Sequence, residues 1–565
     1  MHSSILAPAA NIARHLSEMA TLQPTRPAII CANARDTRGE VAYAHMSFAQ
    51  LEETSNHIAQ ALDAIGIRRG IRTALMVPPG LDFFALSFAL FKLGAVPVLI
   101  DPGIGVRNLG GCLKQAQPHA FIGISKAHAA RVILRWAHDT IRTNVTVGTK
   151  WFWGGHTLRE LRAGVSVTRA YEPITPATDE TAAILFTSGS TGPPKGVVYT
   201  HKMFGVQVAH IRSLYGIEPG ETDLATFPLF ALFGPALGMT TVIPEMDPTR
   251  PAKVNAENIF SAIEKFQITN MFGSPALIDR VGRHGEQRGL KLPTLRRAIS
   301  AGAPVPTKVI ERFTAMMTPG AQLFTPYGAT ECLPVASIGS DEILGETRRQ
   351  TDRGAGVCIG LPVPGLVAKI IRISDASIPA WEDGLELPVG EIGEIAVKAA
   401  HATTTYFELP AATTLAKIAD PTKGALYHRM GDLGYYDPQG RLWFCGRKSH
   451  RVETQQGTRF TIPCEAVFNT DPRIFRTALV GVRSNKYQSG LNGEMQAVLC
   501  VELEPAAIHF SHELIRAELR RLGSLHEHTR NIGTFLFHPG FPVDVRHNAK
   551  IFREKLALWA GKQLG

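Results

Sequence analysis

The chain has 565 residues, of which 45% are hydrophobic and 19% are charged. This length predicts several globular units, and the composition excludes a wholly disordered chain. The net charge is +10, and residues 447–565 carry 17 Lys and Arg against 11 Asp and Glu. A basic end piece suits a nucleic acid, a membrane surface or a polyanion. No lysine run or aromatic–basic motif accompanies it, which disfavours nucleic acid.

The seven cysteines are scattered and are never spaced as CxxC. This usage favours a reducing compartment and argues against a structural zinc or a disulfide framework. The first residues, MHSSILAPAANIARH, lack the long apolar core of a secretory signal. We therefore expect a cytoplasmic protein.

Helical and strand periodicities alternate along the N-terminal third of the chain. This alternation predicts layered α/β architecture with a largely parallel sheet. The predicted helices are 48–62 and 83–93, and the predicted strands are 73–77, 95–100, 182–186 and one within 265–274.

The pattern of residue types changes after Gly354. Short Val/Ile runs separated by Gly and Pro, at 367–373, 391–397 and 442–445, predict a β-rich subdomain. Strand and helix patterns alternate again in 447–565, which predicts a compact α+β end piece.

An uncharged run, LATFPLFALFGPALGMTTVIP, occupies residues 224–244 and has the length of a membrane span. Its two prolines near the centre and its glycines would break a helix that faces lipid. A buried pocket wall therefore explains the run better, and a membrane span is the weaker alternative.

The segment 186–196, FTSGSTGPPKG, follows a predicted strand and is rich in glycine and hydroxyl side chains. Its backbone N–H groups could converge on phosphate oxygens, and Lys195 could add positive charge. It is not a Walker A loop, because GxxxxGK[ST] occurs nowhere in the chain. Taken alone, it could equally be a flexible turn.

Three later segments could complete a nucleotide site. In 327–331, YGATE, an acidic residue on a glycine turn suits Mg²⁺ beside phosphates, and Tyr327 offers a flat face for a base. The small residues of 300–304, SAGAP, would let the backbone approach a purine ring. In 429–432, RMGD, the carboxylate of Asp432 could accept two ribose hydroxyls, although such residues are more often turn residues.

In chain order, these segments resemble the motifs of the acyl-adenylate-forming superfamily, which includes acyl-CoA ligases, peptide-synthetase adenylation domains and luciferases. The resemblance extends over almost the whole chain, and nine matches in the family's order carry far more weight than one. Further matches are GAVPVLIDP at 94–102, PLFALFG at 228–234, GEIGE at 390–394, Gly-Arg at 446–447 and the late Lys550.

The resemblance implies an enzyme that joins a carboxylic acid to AMP, with ATP and Mg²⁺ as cofactors. It also implies a division into a core, 1–446, which binds ATP and the acid, and a small mobile lid, 447–565, which carries a catalytic lysine. Alignment and charge neutralisation would do most of the catalytic work.

The site residues follow from the same resemblance. Lys550 would bridge the substrate carboxylate and the α-phosphate, Glu331 would hold Mg²⁺, and Thr187 and Thr330 would assist catalysis. The nucleotide contacts would be Thr187, Ser188, Gly189, Ser190, Thr191, Gly192, Lys195, Ala301, Gly302, Ala303, Pro304, Tyr327, Gly328, Thr330, Asp432 and Arg447. The substrate pocket would include Phe230, Phe233, Gly234, Met239, Gly273 and Cys332.

Four departures from the usual pattern bear on the fate of the adenylate. Ala231 and Ser449 replace residues that are polar or charged in many relatives. The segment 453–457, ETQQG, replaces a Gly-Gly turn that lines the pantetheine tunnel of CoA ligases. The segment 542–551, PVDVRHNAKI, lacks the common Gly-Lys pair. In this combination the chain resembles the β-lactone synthetases of bacterial long-chain olefin biosynthesis.

That closer resemblance implies adenylation of a 2-alkyl-3-hydroxy fatty acid, followed by attack of its own hydroxyl to close a β-lactone. An internal nucleophile held in place needs no CoA site and reacts at high effective molarity. The uncharged run would then line an alkyl-chain pocket. Other enzymes of the olefin pathway are candidate partners.

Two alternatives stay open at this point. A long-chain fatty acyl-CoA ligase would share the first step and use CoA as acceptor. A catalytically silent nucleotide-binding or scaffold protein is opposed by the presence of Glu331, Asp432 and Lys550. His547 could serve as the base for ring closure, and a structural histidine is an equally good interpretation.

Overall fold

Parallel strands with helical connections build most of the N-terminal half of the protein. The description rests on a computed structural model and covers residues 11–165, 171–186, 193–421, 424–483, 495–544 and 550–565. Two predicted parts of the site lie outside the described residues. They are residues 187–192 of the predicted phosphate-binding segment, and the segment 545–549, which includes His547.

A seven-stranded sheet forms the first layer. All of its neighbouring strands are parallel except the last pair, which is antiparallel. Its strands, in spatial order, are His156–Thr157, Thr143–Val147, Ala120–Ile124, Arg72–Met76, Val96–Leu99, Thr181–Phe186 and Gly196–Thr200.

A sheet of 14 described strands forms the second layer. It is parallel from Pro27–Arg35 through Gln322–Ala329 and antiparallel on both flanks. Its strands, in spatial order, are Val367–Ile371, Gly393–Lys398, Leu426–Tyr436 (which also pairs with Lys417–Ala419), Leu442–Arg447, Val357–Pro362, Cys332–Gly339, Gln322–Ala329, Arg297–Ile299, Asn270–Phe272, Thr222–Ala225, Thr240–Ile243, Pro27–Arg35 and Val41–Ser47.

Helices cover these sheets and bury their apolar faces in four main clusters. The helix Leu81–Leu93 is the most deeply packed, since ten of its eleven residues from Phe83 onward are apolar or small and it contacts both layers. The helices of this part are Ile12–Leu22, Phe48–Ala64, Leu81–Leu93, Val106–Ala116, Ser125–Ile133, Leu158–Ala163, His201–Tyr215, Pro228–Ala231, Phe233–Leu237, Ala256–Phe266, Pro275–Arg288, Thr307–Thr314, Ser340–Glu342, Arg348–Asp352 and Pro410–Ala416.

The C-terminal residues form their own small α+β unit. Its two hydrophobic clusters draw on residues from Val452 onward. The unit contains the strands Val452–Thr454, Gly457–Arg459, Ile474–Val482, Gln496–Leu503 and Thr534–Phe537, and the helices Thr461–Phe468, His512–Ser524 and Arg553–Leu564.

The predicted layered α/β architecture is confirmed, with small shifts at element boundaries. The helix predicted at 48–62 spans Phe48–Ala64 and begins with a capping box between Ser47 and Gln50. Of the stretch 265–274, only Asn270–Phe272 is a strand, because the preceding helix continues to Phe266.

The uncharged run at 224–244 folds as the end of a strand, two short helices and a second strand. Pro228 begins the first helix and Gly238 ends the second in a left-handed conformation. Within the described ranges, every helix is too short or too polar to cross a bilayer.

Asp223 is a buried acid on one of the central strands of the large sheet. Its carboxyl group is buried and accepts a hydrogen bond from Asn270 on the neighbouring strand. Burial raises the pKa of Asp223 to about 7, against opposing effects of Asn270 and Arg297. The folded state therefore binds more protons than the unfolded state between pH 4 and 7, and this group lowers stability as the pH rises through that window.

We expect Asp223→Asn to be more stable than the unchanged protein at pH 8, by no more than about 4 kcal/mol. The difference should shrink toward pH 4, where both side chains are neutral in the fold. Denaturant unfolding of the two proteins at several pH values measures it. A difference that stays constant from pH 4 to 8 would contradict the raised pKa.

Candidate active site

A cavity of about 530 Å³ lies at the carboxyl ends of the parallel strands. Thr226, Ser274 and Ala301 line it from segments that directly follow three adjacent strands of the large sheet. Leu99 and Phe186 line it from the ends of two strands of the seven-stranded sheet. Ligands of open α/β sheets bind at this edge because the loops that follow the strands converge there.

Two tyrosines organise the acidic part of the cavity wall. The Tyr406 hydroxyl donates to Oε1 of Glu331 at 2.7 Å, and the Tyr199 hydroxyl donates to the carbonyl oxygen of Thr330 at 2.6 Å. Nζ of Lys195 lies 4.9 Å from the centroid of the Tyr406 ring. Burial and the Glu331 charge raise the pKa of Tyr406, so this hydroxyl stays a donor at neutral pH.

A second buried carboxylate lies at the end of the antiparallel strands. Oδ1 of Asp432 is 3.0 Å from Nε of Arg447, its partner in the strand register. The Tyr327 hydroxyl donates to Oδ2 of Asp432 at 2.7 Å. Burial raises the pKa of Asp432, and the charge of Arg447 opposes this shift. Asp432 is thus held by one hydrogen-bond donor and one cation directly beside the cavity.

The C-terminal unit reaches the same cavity. Lys550, Lys448 and Ser449 line it together with Glu331 and Arg447. The charge of Lys550, like that of Arg447, opposes the burial-driven rise in the pKa of Asp432, as expected of a nearby cation. The structure therefore brings the late lysine to the residues that the motifs predict as its neighbours.

Behind Glu331 lies a buried lysine that the sequence motifs do not contain. Nζ of Lys417 donates to the carbonyl oxygen of Thr403 and lies 3.1 Å from Nδ1 of His428. Burial lowers the pKa of Lys417 to about 8, against the effect of Glu331. The Thr403 N–H in turn donates to the carbonyl oxygen of Glu331 at 2.8 Å. This cluster fixes the backbone at Glu331 and places the positive charge of Lys417 near it.

Another part of the cavity wall is aromatic. The ring centroids of Phe230 and Phe272 are 4.5 Å apart, and Phe227 packs 5.4 Å from Phe230. Phe204 and Phe233 continue this wall, with centroids 6.3 Å apart. The cavity thus has a charged end and an apolar end, as the joining of a polyphosphate to an apolar acid requires.

The predicted site residues divide into three groups. Those in the cavity wall are Lys195, Phe230, Phe233, Ala301, Gly302, Gly328, Thr330, Glu331, Arg447 and Lys550. Those that the structure places outside the wall are Gly234, Met239, Gly273, Ala303, Pro304, Tyr327, Cys332 and Asp432. Those outside the described residues are Thr187, Ser188, Gly189, Ser190, Thr191 and Gly192.

Several predicted pocket residues pack in the core instead of facing the cavity. Met239 and Cys332 are buried in two different hydrophobic clusters. A Cβ on Gly273 would lie 3.0 Å from Leu277, and one on Gly234 would collide with Thr241. The uncharged run therefore supplies the cavity wall mainly through its phenylalanines.

Glu331 is the predicted magnesium ligand. Its carboxylate lines the charged end of the cavity. No group of three metal-ligating side chains occurs among the residues that the structure describes. A single carboxylate is sufficient when phosphate oxygens and water complete the coordination of Mg²⁺, so the site fits a metal that arrives with a nucleotide.

Comparison with known proteins identifies the family. The sequence profile of the AMP-binding enzymes matches residues 16–407. The chain belongs to this family. It is 49% identical to the olefin beta-lactone synthetases of Xanthomonas campestris and Stenotrophomonas maltophilia, over 98% of both chains in each comparison.

The fold of the enzyme is also found among solved structures. The anthranilate CoA ligase AuaEII in complex with anthranoyl-AMP superimposes with a TM-score of 0.79 at 17% identity, covering 100% of this chain and 99% of the other. At that identity the match concerns the fold alone.

The ion pair between Asp432 and Arg447 can be tested by substitution. Arg447→Met would leave the buried carboxylate without its cation, and we expect the free energy of unfolding to fall by about 2 kcal/mol at pH 7. This is less than for a fully buried pair, because 35% of the Arg447 side chain is exposed. The substitution would raise the pKa of Asp432 further above its ordinary value. The loss in the free energy of unfolding should therefore grow from pH 4 toward pH 7.

Denaturant unfolding across this pH range measures the deficit. Adding Asp432→Asn to Arg447→Met removes the uncompensated charge and should restore most of the loss. If the double variant were as unstable as Arg447→Met, the charge of Asp432 would not be its cause.

Proposed function

We propose that the enzyme uses ATP to adenylate a 2-alkyl-3-hydroxy fatty acid and then closes the adenylate to a β-lactone. The observation that carries this proposal is the 49% identity to two olefin beta-lactone synthetases along nearly the entire chain. The cavity supports it, because its aromatic end suits an alkyl chain and its charged end suits a polyphosphate.

In the first step, a carboxylate oxygen of the acid attacks the α-phosphate, and the bond from that phosphorus to pyrophosphate breaks. Lys550 and Arg447 line the part of the cavity where this charge would develop. Mg²⁺ held by Glu331 would neutralise charge on the phosphates. Tyr406 and the Lys417 cluster hold Glu331 in place before the nucleotide binds.

In the second step, the 3-hydroxyl oxygen bonds to the acyl carbon as the bond from that carbon to AMP breaks. The hydroxyl proton passes to a base. His547, the predicted candidate, lies outside the described residues. Because nucleophile and electrophile belong to one molecule, this step requires positioning and no second substrate.

A long-chain acyl-CoA ligase is the alternative that shares the first step. The sequence argument against it rests on Gln455 and Gln456, which replace a Gly-Gly turn. In the structure these glutamines lie at the exposed tip of a hairpin and outside the cavity wall. They do not narrow the cavity in this arrangement, so the products must decide between the two functions.

Mass spectrometry of the products tests the proposal. With ATP and a 2-alkyl-3-hydroxy acid, we expect a β-lactone, AMP and pyrophosphate, whether or not CoA is present. A thioester formed with CoA, and no lactone without it, would establish the ligase instead.

The role of Lys550 can be tested in the same assay. We expect Lys550→Ala to lower pyrophosphate release by about 10²–10³-fold, since it removes a cation placed at the reacting phosphate. Lys562→Ala, which changes an exposed lysine of the same unit, should remain close to the unchanged enzyme. If the unchanged enzyme, Lys550→Ala and Lys562→Ala released pyrophosphate at the same rate, Lys550 would have no role in adenylation.

We further propose that residues 447–565 act as a mobile lid on the core 1–446. Separate hydrophobic clusters support this division, as does a contact surface that contains ion pairs. One such pair joins Nζ of Lys308 to Oε1 of Glu504 at 2.9 Å. Lys550 lines the cavity, which supports assigning this arrangement to the adenylating state.

A crosslink tests this assignment. All seven native cysteines are buried, so a short bismaleimide should react selectively with Lys308→Cys and Glu504→Cys in one chain. We expect the crosslinked enzyme to retain ATP–pyrophosphate exchange because Lys550 is already in place. Each single-cysteine variant treated with the same reagent is the control. Loss of exchange in the crosslinked form alone would show that another orientation performs adenylation.

A further inference from the structure

A second cavity, of about 240 Å³, adjoins the active-site cavity. Thr226 and Pro248 line both cavities, so the two cavities meet at these residues. The second cavity also lies at the carboxyl ends of strands, between Ala32, Ile243 and the Pro78–Pro79 segment. It is therefore a side branch of the active site and not a remote pocket.

We propose that this side cavity binds one of the two alkyl tails of a branched acid, while the aromatic end of the main cavity binds the other. The inference rests on the proposed function, because only a 2-alkyl-3-hydroxy acid carries two tails from neighbouring carbons.

The chemistry of the side-cavity wall fits a saturated chain. Five of its fourteen lining residues are prolines, which offer no backbone N–H. The Thr226 hydroxyl, which would be a polar group at the junction, donates to the carbonyl oxygen of Phe272 at 2.7 Å. Glu245 is the one ionisable side chain among the lining residues described. Asn258 donates to its carboxylate at 2.8 Å, and Arg35 donates to it at 3.2 Å.

The size and the outlet of the side cavity fit as well. An apolar cavity of about 150 Å³ accepts a benzene molecule, so 240 Å³ is ample for several methylene groups. Asn33, Ala34 and Pro78 line its far side and are exposed. A longer tail can therefore continue toward the surface without meeting a closed end.

The test fills the side cavity and varies the two tails separately. Ala32 lines the cavity from a strand and is partly exposed, so Ala32→Phe places a ring there with little disturbance of the core. Ala419→Phe, at an exposed strand alanine outside both cavity walls, is the matched control. Substrates are 3-hydroxy acids in which either the C2 branch or the C3 chain is lengthened from methyl to decyl. The readout is kcat/KM for pyrophosphate release.

We expect Ala32→Phe to lower kcat/KM at least tenfold for acids in which one particular tail is long. Each methylene group that the new ring excludes from the side cavity should lower kcat/KM by about fourfold. Acids with that tail shortened to methyl should react as with the unchanged enzyme, which also shows that the variant is folded. Equal loss for both tail series, loss that extends to the short-tailed acids, or no loss would overturn the inference. If the unchanged enzyme released no pyrophosphate with any hydroxy acid, the proposed function itself would be wrong.

Discussion

The ion pair between the buried Asp432 and the partly exposed Arg447 lies at the joint between the core and the C-terminal unit, and the arrangement of the active site depends on it. A carboxylate without a partner at this depth would be protonated or would draw in water. Arg447 is the last residue of its strand, and the next residue, Lys448, turns into the C-terminal unit. Keeping Asp432 charged therefore also fixes the point from which that unit extends.

A second carboxylate strengthens the same joint. Glu394 is almost fully buried, and both Arg429 and Lys448 donate to it, the latter at 3.1 Å. Each of the two acids is thus matched by a cation at the end of the core. The two acids at the joint are paired with three cations before a nucleotide binds, and Lys195 and Lys550 add positive charge to the cavity wall.

Local sequence patterns predicted the elements and the segments that meet in the cavity, because strand ends and motif order determine which loops converge. They did not predict which side chains of those segments face inward. Met239 and Cys332 are buried in the core, while Phe230 and Phe233 line the cavity. Met239 lies between a helix of five residues and a strand of four, and no periodicity can be read from segments of that length. Cys332 is the first residue of the strand Cys332–Gly339, where its side chain packs in the core.

The supporting residues of Glu331 were missed for a different reason. Tyr406 and Lys417 are far from Glu331 in sequence and belong to no motif, and their roles arise from contacts across the fold. A buried lysine in a strand carries no signal in the sequence that separates it from an exposed one. His428 is the exception, since it directly precedes the RMGD segment and could have drawn attention to that strand.

The two adjoining cavities give a physical reason for joining the adenylation and ring-closure steps on one enzyme. Closing a four-membered ring requires the 3-hydroxyl to approach the acyl carbon, and free rotation about the bond between C2 and C3 would carry it away. Tails that leave from C2 and C3 into separate cavities would restrict this rotation while the adenylate forms. The entropic cost of orienting the hydroxyl would then fall on the binding step and not on the transition state of ring closure. In the binding step, burial of the methylene groups would offset that cost. An acid with a single tail would lack this restraint, so its adenylate would depend on an external acceptor.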